Sequence, residues 1–389
     1  MDYFLTDDQR MIKDLASKIA EERIAPVAAE LDEKEEFPWE IMRDLAQADL
    51  FGVWIPEKYG GLGGGVLEQC LVVEELSRAC AGVATSYAAS ALGAYPILLF
   101  GTEEQKQKYL PDIASGKRLA AFALTEPDAG SDAGNIKTTA VFDGDSYVLN
   151  GTKQWITNAG EAEIYTVMAT IDRNAGVRGI TAFIVEKGTP GFEFGKKEKK
   201  MGIRSSSTRE LIFSDCRIPR ENLLDREGKG FIVAMRTLDR TRTGVAAQAV
   251  GIAQRALDLS AAYAMERVQF GNPIGEFQAI QHMLADMAIQ VEAARAFTYS
   301  VARMIDGGAR DFAKESAMAK TFASDIAMRV AVDAVQIFGG YGYMRDYPVE
   351  KLMRDAKVTQ IYEGTNQIQR TIVGSQVLRE ARRQKKAKA

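Results

Sequence analysis

Apolar positions along the chain change their period twice. Ile12, Leu15, Ala16 and Ile19 recur at three- and four-residue spacing, which puts one apolar stripe on a first helix. Residues 6–120 read mainly as helix, interrupted or restarted at Pro26 and Pro38, where φ is fixed and a backbone donor is missing. Between 121 and 230 the runs shorten. Ala140–Phe142 and Tyr147–Leu149 flank Asp143-Gly144-Asp145, predicting a hairpin. Tyr165–Thr170, Ile180–Val185 and Glu210–Phe213 are further strands, rich in β-branched and aromatic residues. This pattern predicts a small antiparallel β domain, not a βαβ array. From 231 the helical period returns. Phe277, Ile280, Leu284 and Met287 continue through Val291, Ala294, Val301 and Ile305 as one stripe on a long helix. Ser316–Phe338 predicts another, with Ala317, Ala319 and Ala323 permitting close approach. Small residues on several faces point to helices covered on more than one side, other subunits included. The expected organisation is a helical domain at 1–120, a β domain at 121–230 and a helical bundle at 231–389. The glycine cluster from Gly60 to Gly65 does not spell G-x-G-x-x-G and follows no strand, so a flexible connection is expected there.

Composition narrows the function classes. Apolar residues make up 46% of 389 residues, enough for a large core. Lysine and arginine total 49 against 53 acids, a formal charge of −4, which argues against a nucleic-acid surface. The basic run Arg382–Lys388 reads as a solvated tail. Cys70, Cys80 and Cys216 are odd in number and widely spaced, so buried thiols are expected rather than disulfides or a zinc ribbon. The first residues lack a basic n-region and long apolar run, and no stretch reads as the roughly 20 apolar residues that span a bilayer. A cytoplasmic location is expected.

The residue inventory points to a cofactor. His282 is the only histidine and sits in a regular amphipathic pattern, so neither a metal site nor a Ser-His-Asp triad is expected. Phe122–Asp132 packs hydroxyls, glycine and backbone donors where the chain enters the β region, suiting the polar edge of a flat heterocycle. Gln154–Asn158 sets a broad aromatic face beside a hydroxyl. Gln336–Tyr343 carries glycines that let a ligand touch backbone. Tyr362-Glu363-Gly364-Thr365 places a carboxylate before a turn-permitting glycine and a helix whose first residues, Thr365 or Asn366, can cap it. A carboxylate held there among apolar groups is expected to have a raised pKa and to act as a general base.

These stretches resemble the acyl-CoA dehydrogenase family over essentially the whole chain. Ala123–Glu126 through Gly130-Ser131-Asp132 looks like the first family signature. Gln336–Gly342, continuing to Asp346, Lys351 and Asp355, looks like the second, and Tyr362–Thr365 matches the catalytic segment. The resemblance implies a mainly α fold with a central β domain: N-terminal helices, a middle β-barrel-like domain and a C-terminal four-helix bundle, assembled as a homotetramer. It implies FAD between the middle domain and the bundle. Phe122, Leu124, Thr125, Gly130 and Ser131 match the strip beside the isoalloxazine, with Trp155, Ile156 and Thr157 next to the ring. Arg267, Phe270 and Gln278 match positions reaching the dinucleotide half across a subunit interface, and Gln336, Gly339 and Gly340 a second such contact. Thr365, Asn366 and Gln367 match the FAD-contacting residues after the base. Ser131, Asp239, Arg242 and Gly364 match acyl-CoA contacts, and Tyr87, Ala88, Ala91 and Ala94 the floor of the acyl pocket, which suggests a short, branched or cyclic acyl group. The implied reaction is α,β-dehydrogenation. Glu363 removes the α-proton, its backbone N–H and a ribityl hydroxyl hold the thioester oxygen, the β-hydride passes to flavin N5, and electrons leave to an electron-transferring flavoprotein. Family members that carry the base at the position of Asp239 have a small residue where Glu363 stands. Alternatives are an acyl-CoA oxidase, a decarboxylating dehydrogenase, or an acyl-CoA-binding scaffold without turnover.

Overall fold

The computed structural model describes residues 3–387. Six helices come first: α1 (Asp7–Ile19), α2 (Ala28–Lys34), α3 (Trp39–Gln47), α4 (Val66–Ala79), α5 (Ala81–Phe100) and α6 (Glu103–Ala114). On α1 the buried residue is Ala16, while Leu15 is 40% exposed, so the expected stripe is narrower than its apolar residues. Thr6 caps α1 and Thr102 caps α6, each with a glutamine three residues on that returns the bond.

The glycine cluster is not a loose connection. A Cβ on Gly61 would lie 2.0 Å from the Ile55 carbonyl oxygen, and one on Gly65 would meet the Asp306 carboxylate at 2.4 Å. Asp306 accepts from the Val66 and Leu67 N–H groups at 2.8 and 2.9 Å, satisfying donors at the start of α4. The glycines are there because backbone and a capping carboxylate come too close for a side chain.

Helix α5 corrects a second expectation. It is 20 residues long and apolar enough, by length and composition, to cross a membrane, and 72% of its most apolar 18 residues are buried inside the protein. Its hydroxyls disguise the run: Thr85 and Ser86 donate to carbonyls one turn back, at 2.7 and 3.3 Å.

The strands follow: β1 (Ala120–Ala123), β2 (Thr139–Asp143), β3 (Ser146–Thr157), β4 (Ile164–Thr170), β5 (Ile180–Glu186), β6 (Phe192–Lys197), β7 (Thr208–Pro219) and β8 (Leu223–Leu224). The predicted hairpin is present, with Gly144 at φ 71° in its turn. The sheet is mixed rather than antiparallel. One half runs β6-β7-β3-β2 and the other joins β1, β4, β5 and β8, linked by the single parallel pair Thr139–Thr170. The parallel element is β1, four residues too short and alanine-rich to show in the pattern, which pairs with β4. Gly93 of α5 lies against it; a Cβ there would be 2.4 Å from the Ala121 nitrogen.

The remainder is helical apart from a small ribbon: α7 (Gly230–Glu266), β9 (Val268–Gln269), β10 (Asn272–Pro273), α8 (Gln278–Asp306), α9 (Ala313–Phe338), α10 (Val349–Thr359) and α11 (Asn366–Ala387). Helix α7 is the central strut, packing on α8 and α9 and, across the chain, on α4 and α5. Most of the predicted α8 stripe is buried, from Met287 to Ile305, while Ile280 and Leu284 are partly covered. The three cysteines are buried and unpaired. His282 is exposed, and the basic run continues α11 with Arg382–Lys386 in solvent; Lys388 lies outside the described residues.

Candidate active site

A cavity of about 510 Å³ opens where α5, α7, the β1–β3 strip and the turn before α11 converge. Its volume is in the range of small-molecule sites. Three walls come from separate parts of the chain, and hydrogen bonds hold each in place.

Phe122, Leu124, Thr125, Gly130 and Ser131 form the first wall. Behind it Lys153 and Glu126, both buried, pair at 2.7 Å. Glu126 also accepts from the Thr138 N–H at 3.0 Å, and Lys153 donates to the Leu124 carbonyl at 3.0 Å. Burial pushes the Lys153 pKa down to about 8 despite the Glu126 attraction. At Glu126 the balance runs the other way: burial raises its pKa, but Lys153 and the backbone donors together bring it below its ordinary value. Both shifts run downward, which disfavours the charge on Lys153 and favours that on Glu126, so desolvation offsets much of the attraction, and we take the pair's role to be fixing the strip rather than adding stability.

Trp155, Ile156 and Thr157 form the second wall. Strand β3 bulges here: Lys153 pairs with Leu211 and Ile156 with Arg209, leaving two residues opposite one. The bulge puts Trp155 at φ 57° and leaves it 59% exposed beside the cavity. A positive φ on a bulky aromatic residue is strained and marks a site the fold holds deliberately. The Gln154 N–H donates to the Thr125 carbonyl at 2.8 Å, and Asn158 Nδ2 to the Ser86 carbonyl at 2.9 Å, joining this wall to the first and to α5.

The third wall carries the chemistry. Glu363 and Gly364 both take positive φ, 52° and 91°, so the chain turns sharply into α11. Thr365 caps that helix by accepting from the Ile368 N–H at 3.3 Å. The turn is clamped through its carbonyls. Arg242 Nε and Gln369 Nε2 donate to the Glu363 carbonyl at 3.2 and 2.9 Å, and Lys320 Nζ donates to the Gly364 carbonyl at 2.9 Å. The Glu363 carboxyl accepts one bond, from Thr241 Oγ1 at 2.7 Å, and makes no ion pair among the described residues. Burial raises its pKa; the Thr241 bond and the nearby Arg242 and Lys320 charges oppose that but do not cancel it. Burial also pushes Lys320 down to about 7, against the pull of Glu363.

Several expected contacts fall elsewhere. Asp239 is absent from the cavity wall and pairs with Arg242 at 2.9 Å, organising it. Asn366 does not face the cavity: its amide is engaged by Lys320, Ser324 and Asp325 at 2.7–2.9 Å. Gln367 is exposed. Arg267, Phe270, Gln278, Gln336, Gly339 and Gly340 lie outside this cavity, with Phe270 94% exposed at the tip of the β9–β10 ribbon. Arg267 lies 5.4 Å over the Tyr341 ring, which brings the ribbon beside the end of α9. On α5 the cavity is lined by Thr85, Ala88, Ala89 and Leu92. Of the expected floor only Ala88 is there; Tyr87 points away, donating to the Leu50 carbonyl at 2.8 Å and packing on Phe51. Thr241, Lys320, Gln369 and Lys153 were not singled out in the sequence. The signal for Lys153 was a lone cation at an inward position of a strand.

Sequence models of the N-terminal, middle and C-terminal domains of acyl-CoA dehydrogenases match residues 6–117, 121–216 and 228–378. A short-chain-specific acyl-CoA dehydrogenase of Megasphaera elsdenii is 50% identical over 97% of this chain and 100% of its own. An acryloyl-CoA reductase (NADH) of Anaerotignum propionicum is 49% identical over 97% and 96%. Among solved structures, butyryl-CoA dehydrogenase of Megasphaera elsdenii superposes with a TM-score of 0.95 at 50% identity, over 97% of this chain and 100% of that one. A chain solved under the description of an electron-transferring flavoprotein of Acidaminococcus fermentans, in work on flavin-based electron bifurcation, gives 0.95 at 53%, with the same coverage. An acyl-CoA dehydrogenase of Bacillus anthracis complexed with FAD gives 0.92 at 38%, over 99% and 69%. The residues present fit that cofactor: an exposed indole face on a strained bulge, beside the hydroxyls of Thr125, Ser131 and Thr157, is what a flat polar-edged ring would cover. Three domains matched in order over nearly the whole length place this chain in the acyl-CoA dehydrogenase family, whose members are FAD-dependent oxidoreductases.

Proposed function

We propose that this protein oxidises a short saturated acyl-CoA at its α,β bond, with Glu363 taking the α-proton. The observation that carries this reading is the setting of that carboxyl. It stands in the cavity wall with one hydroxyl donor, no ion pair and a pKa raised by burial. Such a group is a stronger base near neutrality than an exposed carboxylate. The Glu363 amide N–H has no acceptor among the described residues, so it is free to donate to a thioester oxygen as the enolate develops. Arg242 is held by Asp239 and by the Glu363 carbonyl, which keeps its charge beside the base without neutralising it. FAD, held against Trp155, Thr157 and the Phe122–Ser131 strip, supplies the acceptor for the β-hydride. Ser131, Arg242 and Gly364 are the acyl-CoA contacts in this reading, with Asp239 acting through Arg242.

The short-chain assignment rests on the Megasphaera elsdenii relative named short-chain specific and on the structure of butyryl-CoA dehydrogenase from that organism. Ala88 and Ala89 leave lateral room, so short branched or cyclic acyl groups belong to the same proposal. The Acidaminococcus fermentans neighbour supports an electron-transferring flavoprotein as acceptor. A homotetramer is supported by the exposed positions Phe270, Gln278, Gln336, Gly339 and Gly340, with half-buried Arg267 beside them. An apolar groove of about 870 Å³ between α8, α9 and α11, lined by Phe297, Met318 and Phe322, adds to that support. The same residues serve the reverse reaction, with Glu363 returning a proton to an enoyl-CoA, and the relative named acryloyl-CoA reductase is the observation that favours testing it.

Anaerobic bleaching of the FAD-loaded protein by butanoyl-CoA tests the main reading. Glu363→Gln is expected to keep its FAD and lose the rate of bleaching by ~100- to 10,000-fold, the usual worth of a general base. Near-normal bleaching in that variant rejects Glu363 as the base.

A further inference from the structure

The cavity has a wet end and a closed end. Ser131, Asp132 and Trp155 are exposed at its mouth. Gln69, Thr85 and Gln248 line it at 3%, 5% and 3% exposure, so they form its back. Between them the wall is apolar: Ala88, Ala89 and Leu92 from α5, Leu238 and Val245 from α7. Gln69 is the only described residue of α4 on the wall. It reaches the cavity between α5 and α7, the two helices that α4 packs against.

The polar groups of the back wall are not equally occupied. Thr85 Oγ1 donates to the Ala81 carbonyl at 2.7 Å and accepts from Gln248 Nε2 at 2.7 Å. Gln248 Oε1 accepts from the Tyr362 hydroxyl. These three satisfy one another. Gln69 Oε1 accepts from the Tyr95 hydroxyl at 2.8 Å, but its amide NH₂ has no partner among the described residues. A buried amide donor thus faces the blind end of an otherwise apolar channel. The cationic side chain on the wall, Arg242, belongs to the Glu363 end.

We infer that Gln69 is a specificity-determining residue that closes the acyl cavity to long apolar chains. The inference rests on the dehydrogenase reading and deepens it. A short acyl group leaves space for water on the Gln69 amide. A longer chain displaces that water and presses methylene against an NH₂ that then has no acceptor, which is the costly arrangement for a buried polar group. A neutral oxygen at the far end of the chain would take the bond instead. A carboxylate there would be buried away from Arg242, so dicarboxylic thioesters are poor fits.

The test compares kcat/KM for butanoyl-, hexanoyl- and octanoyl-CoA in the FAD-loaded wild type and in Gln69→Leu. The variant is expected to raise the octanoyl-to-butanoyl ratio by roughly ten- to a hundredfold, the range set by one unpaired buried donor. A terminal hydroxyl on hexanoyl-CoA is expected to raise kcat/KM in the wild type and not in the variant, a signature that simple widening of the pocket lacks. Because Gln69→Leu strands the Tyr95 hydroxyl, Gln69→Leu/Tyr95→Phe removes both polar ends and guards against misfolding. Affinities of the unreactive thioethers S-butyl-CoA and S-octyl-CoA, by titration calorimetry, should show the same shift. An unchanged chain-length ratio in both variants, with no hydroxyl effect in the wild type, overturns the role of Gln69. Failure of every acyl-CoA to bleach the wild type would instead sink the dehydrogenase reading, while the thioether affinities would still judge Gln69.

Discussion

The Glu363 cavity and the face formed by the β9–β10 ribbon and the end of α9 both carry strained backbone, yet they are finished to different degrees. Around Glu363 each unusual φ is held from its own chain. Glu363 and Gly364 are clamped through their carbonyls, and the Trp155 bulge is pinned on either side by Gln154 and Asn158. On the other face Phe270 takes φ 54° in the two-residue turn of the ribbon, with 94% of its surface exposed and, among the described residues, one ring contact, Phe277 at 6.1 Å. Gly339 takes φ 60° with open space on the side where a Cβ would stand. Strain persists only where surroundings over-determine it. A single chain buries and clamps the first region, whereas the second has only the pairing of its own short ribbon. In our reading the chemistry is assembled within one subunit, and a second copy completes the distant half of the cofactor site.

The strongest way to break the self-contained region is from behind its first wall. Lys153→Ala leaves Glu126 a buried carboxylate facing only backbone donors. Breaking a buried pair by removing one partner typically costs ~3–5 kcal/mol. We expect a loss of that order in chemical denaturation, with weakened FAD retention because the Leu124–Glu126 strip loses its anchor. Wild-type stability and FAD content in the variant would show that the pair does not brace the wall.

The second region predicts a smaller effect with a different form. Arg267 sits over Tyr341, a cation–π contact worth only ~0.5–1 kcal/mol at an exposed site. Arg267→Ala should therefore leave the fold of one subunit nearly unchanged. It should lower FAD content and shift the assembly toward smaller species together, read by absorbance and light scattering on the same gel-filtration peak. FAD lost without any change in assembly would argue that this face does not lie between subunits.

What the sequence reveals follows the same division. Glu363, Gly364 and the Phe122–Ser131 strip were legible because their chemistry is local: a carboxylate before a glycine, hydroxyls at a strand–loop junction. The floor of the cavity was not. Helix α5 is buried on nearly every side, so its apolar residues do not reveal which face meets the cavity. Reading it from Tyr87, Ala91 and Ala94 instead of Thr85, Ala88, Ala89 and Leu92 is an error of helical phase. Gln69 was hidden likewise, one of several buried polar residues in α4, where only the tertiary neighbours show that its partner is a cavity. The glycine cluster misled because glycine marks both loose chain and the closest packing, and only Ile55 and Asp306 distinguish them. The mixed sheet was missed because β1 is held by its neighbours rather than by strand-forming residues.

The smallest effect discriminates most finely, because it separates the carboxyl of Glu363 from the fold around it. Burial raises its folded-state pKa above the ordinary 4.5. The base must be ionised to work, so bleaching at butanoyl-CoA far below saturation, which reports the free enzyme, should rise with pH through the raised pKa and then level. Stability should move the opposite way. Below the unfolded pKa both states are protonated and the half-buried acid is at its most favourable; as pH climbs through the folded pKa that contribution is lost. A tenfold change in the acid's ionisation constant between the two states corresponds to ~1.36 kcal/mol. Glu363→Gln cannot ionise, so the melting temperature of the wild type relative to that variant should fall as pH rises above 4.5. The fall should occur over the window in which wild-type bleaching rises. A difference flat with pH would mean that this carboxyl ionises as readily in the folded protein as in the unfolded chain, and that the wall around it does nothing to make it a base.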